Sequence, residues 1–129
     1  MIRTGIDIIE ISRVAEKVQK NEDFKKRILT DAEIEYCNSK VNGVKTQDKQ
    51  FQSIAGIYAA KEAFFKALGT GIGAVSNLKK VEVCHEGCGA PFIRVLDEEI
   101  KKNIGGTQNI SISISHDGNM AIAICIIES

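Results

Sequence analysis

The sequence predicts an α+β fold: a single domain over residues 1–129 in which a mostly antiparallel sheet packs with a long central helix and shorter helices. Three observations carry that expectation. Residues 2–9 alternate as a strand does, residues 50–68 read as one unbroken helix, and the C-terminal third reads as strands joined by glycine-containing turns. A chain of 129 residues with 43% hydrophobic and 26% charged residues is large enough for one core and ordinary in composition.

In the first strand Ile2, Thr4, Ile6 and Ile8 share one face, and Arg3, Gly5, Asp7 and Ile9 the other, so a carboxylate points from one side. A helical pattern then runs from Ser12, the expected N-cap, to about Leu29. The "TDAE" of Thr30–Glu33 has capping-box spacing and opens a helix to about Asn38. "KVNGVKTQDK", residues 40–49, is polar and turn-like. The long helix follows from roughly Gln50 to Leu68, and Gly69 with "GTGIG" ends it. "KKVEVCHEGCGAPFIRV" reads as two strands around a turn, and "LDEEIKKNIG" as a short helix stopped by glycine. In "NISISISHDGNMAIAICII" two alternating runs flank Asp-Gly, a hairpin signal.

Seventeen basic and seventeen acidic residues give zero net charge, which argues against general nucleic-acid binding or a strongly basic membrane binder. The longest apolar run is too short for a bilayer span, and no export signal is evident at the N-terminus. The expected location is the cytoplasm, with Cys37, Cys84, Cys88 and Cys125 as reduced thiols. Cys84, His85 and Cys88 lie close together, but their spacing is not that of a zinc finger or ribbon and no second ligand pair exists.

The chemistry gathers in "YAAKEAFFKALGTG", residues 58–71, where Lys61, Glu62 and Lys66 interrupt a nearly apolar helix. Glu62 and Lys66 are four apart and share a face, with Lys61 about 100° round from Glu62. A surface ion pair worth about 0.3–0.5 kcal/mol is the plain explanation. The apolar, small-residue surroundings instead place these charges at the mouth of a cleft. Asp7 needs a cation too, and a lysine, an arginine or a metal would serve. Asp7 and Glu62 together could hold Mg²⁺, with water and phosphate oxygens completing the octahedron and Lys66 beside them neutralising a phosphate. In "SISISH" the hydroxyls of Ser111, Ser113 and Ser115 line one strand face and His116 stands at its end, all able to donate to phosphate.

With these residues in place, "GIDIIEISRV", "FKKRILTDAE", "AAKEAFFKALGTG" and "SISISH" resemble, in that order, the holo-[acyl-carrier-protein] synthases, the small single-domain branch of the 4'-phosphopantetheinyl transferases. The resemblance covers nearly the whole chain, and "VEV…GAP" fits it. It implies transfer of 4'-phosphopantetheine from coenzyme A to a serine of apo acyl carrier protein, for fatty acid biosynthesis. It implies Mg²⁺ on Asp7 and Glu62, and Lys66 on the phosphate being cleaved. Ser115, His116 and the Gly69–Thr70–Gly71 loop would approach the nucleotide. Family members are usually homotrimers with sites between subunits. One departure is Ile57, which stands where the family often has an arginine before the aromatic residue.

Arg13, Lys17 and Lys20 share a helical face, and residues 13–27 hold six basic and three acidic residues. An acidic carrier protein would be steered by such a face, and the family's docking arginine matches Arg13. A small metal-dependent phosphohydrolase would use the same carboxylates without this basic helix. A non-catalytic coenzyme A or carrier-binding module would keep the basic helix and dispense with Asp7.

Overall fold

The computed structural model describes residues 1–39, 46–69, 75–106 and 109–129. Its main sheet joins the two ends of the chain. Strand β1 (Ile2–Glu10) and strand β4 (Ile110–Asp117) both pair antiparallel with β5 (Met120–Glu128), which lies between them. Strands β2 (Val81–His85) and β3 (Pro91–Val95) form a separate antiparallel pair, so the expected sheet is divided in two. The helices are α1 (Ile11–Lys20), α2 (Asp23–Ile28), α3 (Asp31–Ser39), α4 (Thr46–Leu68) and α5 (Glu98–Ile104), with a 3₁₀ stretch at Val75–Lys80.

Helix α4 lies across one face of the main sheet, against β1 and β5. Small residues make the close approach possible. A Cβ on Gly5 would sit 2.0 Å from the Ala63 carbonyl oxygen and 2.6 Å from the Ala67 nitrogen, so backbone meets backbone there. On β5 the facing residues Ala121, Ala123, Cys125 and Ile127 are buried. Gly5 is thus the contact that sets how near Asp7, two residues along the same face, comes to α4. Gly5→Ala is expected to cost about 2–3 kcal/mol through overpacking and to lower Tm by roughly 10 °C, read by thermal circular dichroism. An unchanged Tm would mean that the helix has room to move.

Several boundaries differ from expectation for tertiary reasons. The helix expected over 12–29 is two helices, broken at Asn21, whose Oδ1 accepts the Asp23 N–H at 3.0 Å. Helix α1 starts at Ile11, and Ser12 does not cap it. Instead the β4–β5 turn supplies the acceptors: Asn119 O takes the Ile11 N–H at 2.7 Å and Asn119 Oδ1 the Ser12 N–H at 3.0 Å. Gly118, at φ 57, makes the tight turn that presents Asn119. Helix α4 begins at Thr46, earlier than expected.

The capping box forms as spaced, with the Thr30 N–H on Glu33 Oε1 at 2.8 Å and the Glu33 N–H on Thr30 Oγ1 at 3.3 Å. Glu33 does more than cap. It is buried, and accepts Lys61 Nζ at 2.6 Å and the Val83 N–H at 2.7 Å. Lys61 is fully buried and also donates to the Ile28 carbonyl at 2.8 Å. It therefore ties α4 to α2, α3 and β2, away from the cleft mouth where the apolar pattern placed it. Burial pulls the Lys61 pKa down, and the adjacent Glu33 charge opposes that pull.

The other face of the main sheet is open. Ile6 and Ile8 on β1 lie opposite Ile124 and Ile122 on β5, and all four are exposed. Ser113 and Ser115 flank the same two β5 isoleucines from the β4 side. All four cysteines are free, and burial pushes the Cys37 and Cys125 thiols up to about 12.

Candidate active site

Strand β1 and helix α4 bring Asp7, Glu62 and Lys66 together. Lys66 Nζ lies 2.9 Å from Asp7 Oδ1 and 3.0 Å from the Ile6 carbonyl oxygen, so the cation Asp7 needed is Lys66. The Asp7 side chain is largely covered, 16% exposed, whereas 42% of the Lys66 side chain remains open. Glu62 stands one turn before Lys66. Burial pushes its carboxyl up first, the negative charge of Asp7 pushes further, and Lys66 pulls back through its charge alone. A cavity of about 410 Å³ opens at the two carboxylates, and Asp7, Tyr58 and Glu62 line it together with Glu10 of β1 and Arg13 and Lys17 of α1.

Two oxygen-donor carboxylates on one cavity, with burial and then the Asp7 charge raising the Glu62 pKa, suit a hard dication, which would offset their charge. Among the described residues no group of three or more His, Cys, Asp or Glu could hold a metal. The donor set thus fits an ion that takes most of its ligands from water and substrate, as Mg²⁺ does. The Cys84–His85–Cys88 cluster is otherwise engaged: Cys84 Sγ lies 3.6 Å from Glu82 Oε1, and the His85 ring stacks on Tyr36 with centroids 3.9 Å apart.

The remaining expected residues fall elsewhere. Gly69 closes α4 at φ 80, its N–H on the Phe65 carbonyl, and Thr70 and Gly71 lie outside the described residues. Ser115 is on the open isoleucine face. His116 Nε2 lies 2.9 Å from the Gln52 carbonyl oxygen and packs on Gly56, about 9 Å along the helix axis from Glu62. Neither lines the Asp7 cavity. Lys20 is exposed, 3.4 Å from Glu16, and borders a second groove of about 350 Å³ with Lys17, Asn21, Phe24 and Arg27. Lys17 Nζ sits 5.6 Å from the centre of the Phe24 ring, so Lys17 belongs to both hollows. Ile57 is core, 2% exposed. Tyr58 also lines the cavity, and its one mark in the sequence is the i, i+4 spacing to Glu62, since an aromatic on an apolar helix normally packs.

The chain matches the sequence model of the 4'-phosphopantetheinyl transferase superfamily over residues 3–125. It is 43% identical over 126 residues to the holo-[acyl-carrier-protein] synthase of Campylobacter hominis, covering 96% of this chain and 95% of the relative. It is 37% identical over 130 residues to that of Chloroherpeton thalassium, covering 98% of each. The solved structure of Helicobacter pylori holo-[acyl-carrier-protein] synthase in complex with coenzyme A matches with a TM-score of 0.77 at 35% identity, over 99% of this chain and 100% of that one. A Bacillus anthracis holo-(acyl-carrier-protein) synthase in complex with CoA (3',5'-ADP) matches with a TM-score of 0.73 at 32% identity, over 98% and 96%. Family, fold and motif order agree over nearly the full length: the chain belongs to the holo-[acyl-carrier-protein] synthases of the 4'-phosphopantetheinyl transferase superfamily.

Proposed function

We propose that this chain, as one domain over residues 1–129, moves 4'-phosphopantetheine from coenzyme A to a serine of an apo acyl carrier protein. Adenosine 3',5'-bisphosphate is released, and the product serves fatty acid biosynthesis in the cytoplasm. One observation carries the reading: Asp7 and Glu62 line one cavity with Lys66 on Asp7, and Arg13 and Lys17 of α1 line the same cavity beside Glu10. Among the described residues no helix is long and apolar enough to cross a membrane.

Asp7 and Glu62 would hold Mg²⁺, which when bound offsets charge on the pyrophosphate oxygens as the bridging bond breaks. Lys66, steadied by Asp7 and the Ile6 carbonyl, presents a positive charge to the phosphate being cleaved. The carrier serine must lose a proton, and one of the two carboxylates or an ordered water accepts it. Arg13, Lys17 and Lys20 form the landing surface for an acidic carrier. Arg13 reaches the reacting cavity and Lys20 the groove beyond it, so the carrier would lie along α1. Ile57, packed in the core, offers the nucleotide no cation.

Gly69, Thr70, Gly71, Ser115 and His116 are proposed nucleotide contacts. Ser115 and His116 lie away from this chain's own carboxylates, which suits a site completed by a neighbouring copy. The open isoleucine face suits the same homotrimer, since a contiguous exposed apolar surface marks an interface. Ile124→Lys puts a charge at the middle of that face. It is expected to reduce the mass measured by light scattering from three chains to one, while a variant that stays trimeric would place the interface elsewhere.

The test of the reaction is intact-mass spectrometry of an apo acyl carrier protein mixed with this protein, coenzyme A and Mg²⁺. A gain of one phosphopantetheine that is absent with chelator or with Asp7→Ala is the expected result. Hydrolysis of coenzyme A without labelled carrier would make the chain a phosphohydrolase. Binding of coenzyme A without reaction would make it a binding module.

A further inference from the structure

Tyr58 and Glu10 are the polar groups in the cavity that the reaction as described leaves unused, and Tyr58 is the one on α4 beside Glu62. It stands one helical turn before Glu62 on α4, so its side chain shares the face of Glu62 and Lys66. It lines the 410 Å³ cavity together with Asp7, Glu62, Arg13 and Lys17. Its ring also packs 6.2 Å from the ring of Phe24, the residue that borders the neighbouring basic groove. Tyr58 thus spans the boundary between the two hollows: the surface assigned to the carrier protein and the carboxylate pair assigned to the reaction. Among the described residues its hydroxyl makes no hydrogen bond.

We propose that the Tyr58 hydroxyl is the positioning group for the acceptor, donating a hydrogen bond to the incoming serine Oγ from the carrier side of the cavity. The proposal rests on the phosphopantetheinyl transfer reading. A phenol is protonated near neutral pH, so its O–H is available to donate here. It does not take the serine's proton. By occupying one lone pair of Oγ, it turns the serine O–H toward the carboxylates, where a proton acceptor lies. Such a bond holds the nucleophile in one orientation, and misorientation is costly in a bimolecular transfer. Besides Asp7 and Glu62, the charged groups lining the cavity with Tyr58 are Glu10 at the end of β1 and Arg13 and Lys17 on α1.

Tyr58→Phe removes the oxygen and keeps the ring against Phe24, so folding is preserved. Steady-state transfer to apo acyl carrier protein, with coenzyme A and Mg²⁺, is measured for both proteins in parallel. The expected result is a fall of about tenfold in kcat/KM for the carrier, the size of one hydrogen bond made in the transition state. KM for coenzyme A should stay within about twofold and Tm should be unchanged. Equal kcat/KM in the two proteins overturns the proposal. A rise in KM for coenzyme A with unchanged carrier kinetics overturns it too, by placing the hydroxyl on the donor. A lowered Tm that accounts for the loss would make Tyr58 a packing residue. If the unsubstituted protein transfers nothing, it is the reaction reading that falls, and the comparison separates the two failures.

Discussion

Glu62→Gln is expected to lower kcat/KM for carrier labelling by two to three orders of magnitude while leaving Tm within a few degrees. The substitution keeps the side chain's size and one carbonyl oxygen but removes half of the charge available to a dication, a loss of roughly 3–4 kcal/mol in transition-state stabilisation. Stability should change little because Glu62 is only partly buried and its ionisation is opposed by burial and by Asp7. The pH dependence follows with its sign. The carboxyl sits above its ordinary value of 4.5, so in the metal-free protein its protonated form persists to higher pH than an exposed glutamate's. A group raised in the folded state contributes stability below its unfolded pKa, and that contribution is lost as pH rises through the folded one. Metal binding needs the ionised form, so the rise in Tm on adding Mg²⁺ should be greatest above the Glu62 pKa and fade as pH falls through it. The acid limb of kcat/KM should lie above the range of an ordinary glutamate and move lower as Mg²⁺ is raised. A Glu62→Gln enzyme with full activity at all Mg²⁺ concentrations would remove this residue from the metal site.

Lys61→Met is expected to cost about 3–5 kcal/mol, the usual penalty for leaving one partner of a buried ion pair behind, and to lower Tm by roughly 10–20 °C. The stranded group is Glu33. Without Lys61 it retains the N–H groups of Thr30 and Val83 but no compensating charge, in a fully buried position. Adding Glu33→Gln should recover only part of the loss: the amide needs no counter-charge, but its oxygen can accept one of the two backbone N–H groups while its NH2 faces the other. Urea denaturation of the single and double variants measures both. At low temperature the folded single variant should still label carrier protein, since Lys61 points away from the Asp7 cavity. A single variant within 1 kcal/mol of the unsubstituted protein would show that burial already keeps this pair weak.

What could be read from the sequence was what depends on near neighbours and residue type. The Thr30–Glu33 capping box is a local pattern, and it forms. An isolated carboxylate on a strand and another on an apolar helix both call for an explanation, and the fold brings Asp7 and Glu62 to one cavity, with Lys66 on Asp7. Lys61 misled because a helical wheel gives its angle from Glu62 but not what waits at that angle, and Glu33 comes from another helix. The start of α1 was misplaced by one residue because its acceptors come from Asn119, more than a hundred positions away. Ser115 and His116 were chosen for chemistry, and the fold of one chain does not bring them to the carboxylates. Strand alternation gives the face on which Ser115 lies but not its distance from a helix residue such as Glu62.

The Asn119 cap carries a consequence for how the protein comes into being. On a ribosome the basic helix emerges more than a hundred residues before the atoms that hold its first turn. The same is true of β1, whose whole length pairs with β5. Asp7 and Arg13 are therefore translated early and put in place late, after the loop of intervening chain has closed, the slow step for contacts so far apart in sequence. A chain cut short of Asn119 holds the basic residues of α1 without the acceptors that fix their first turn.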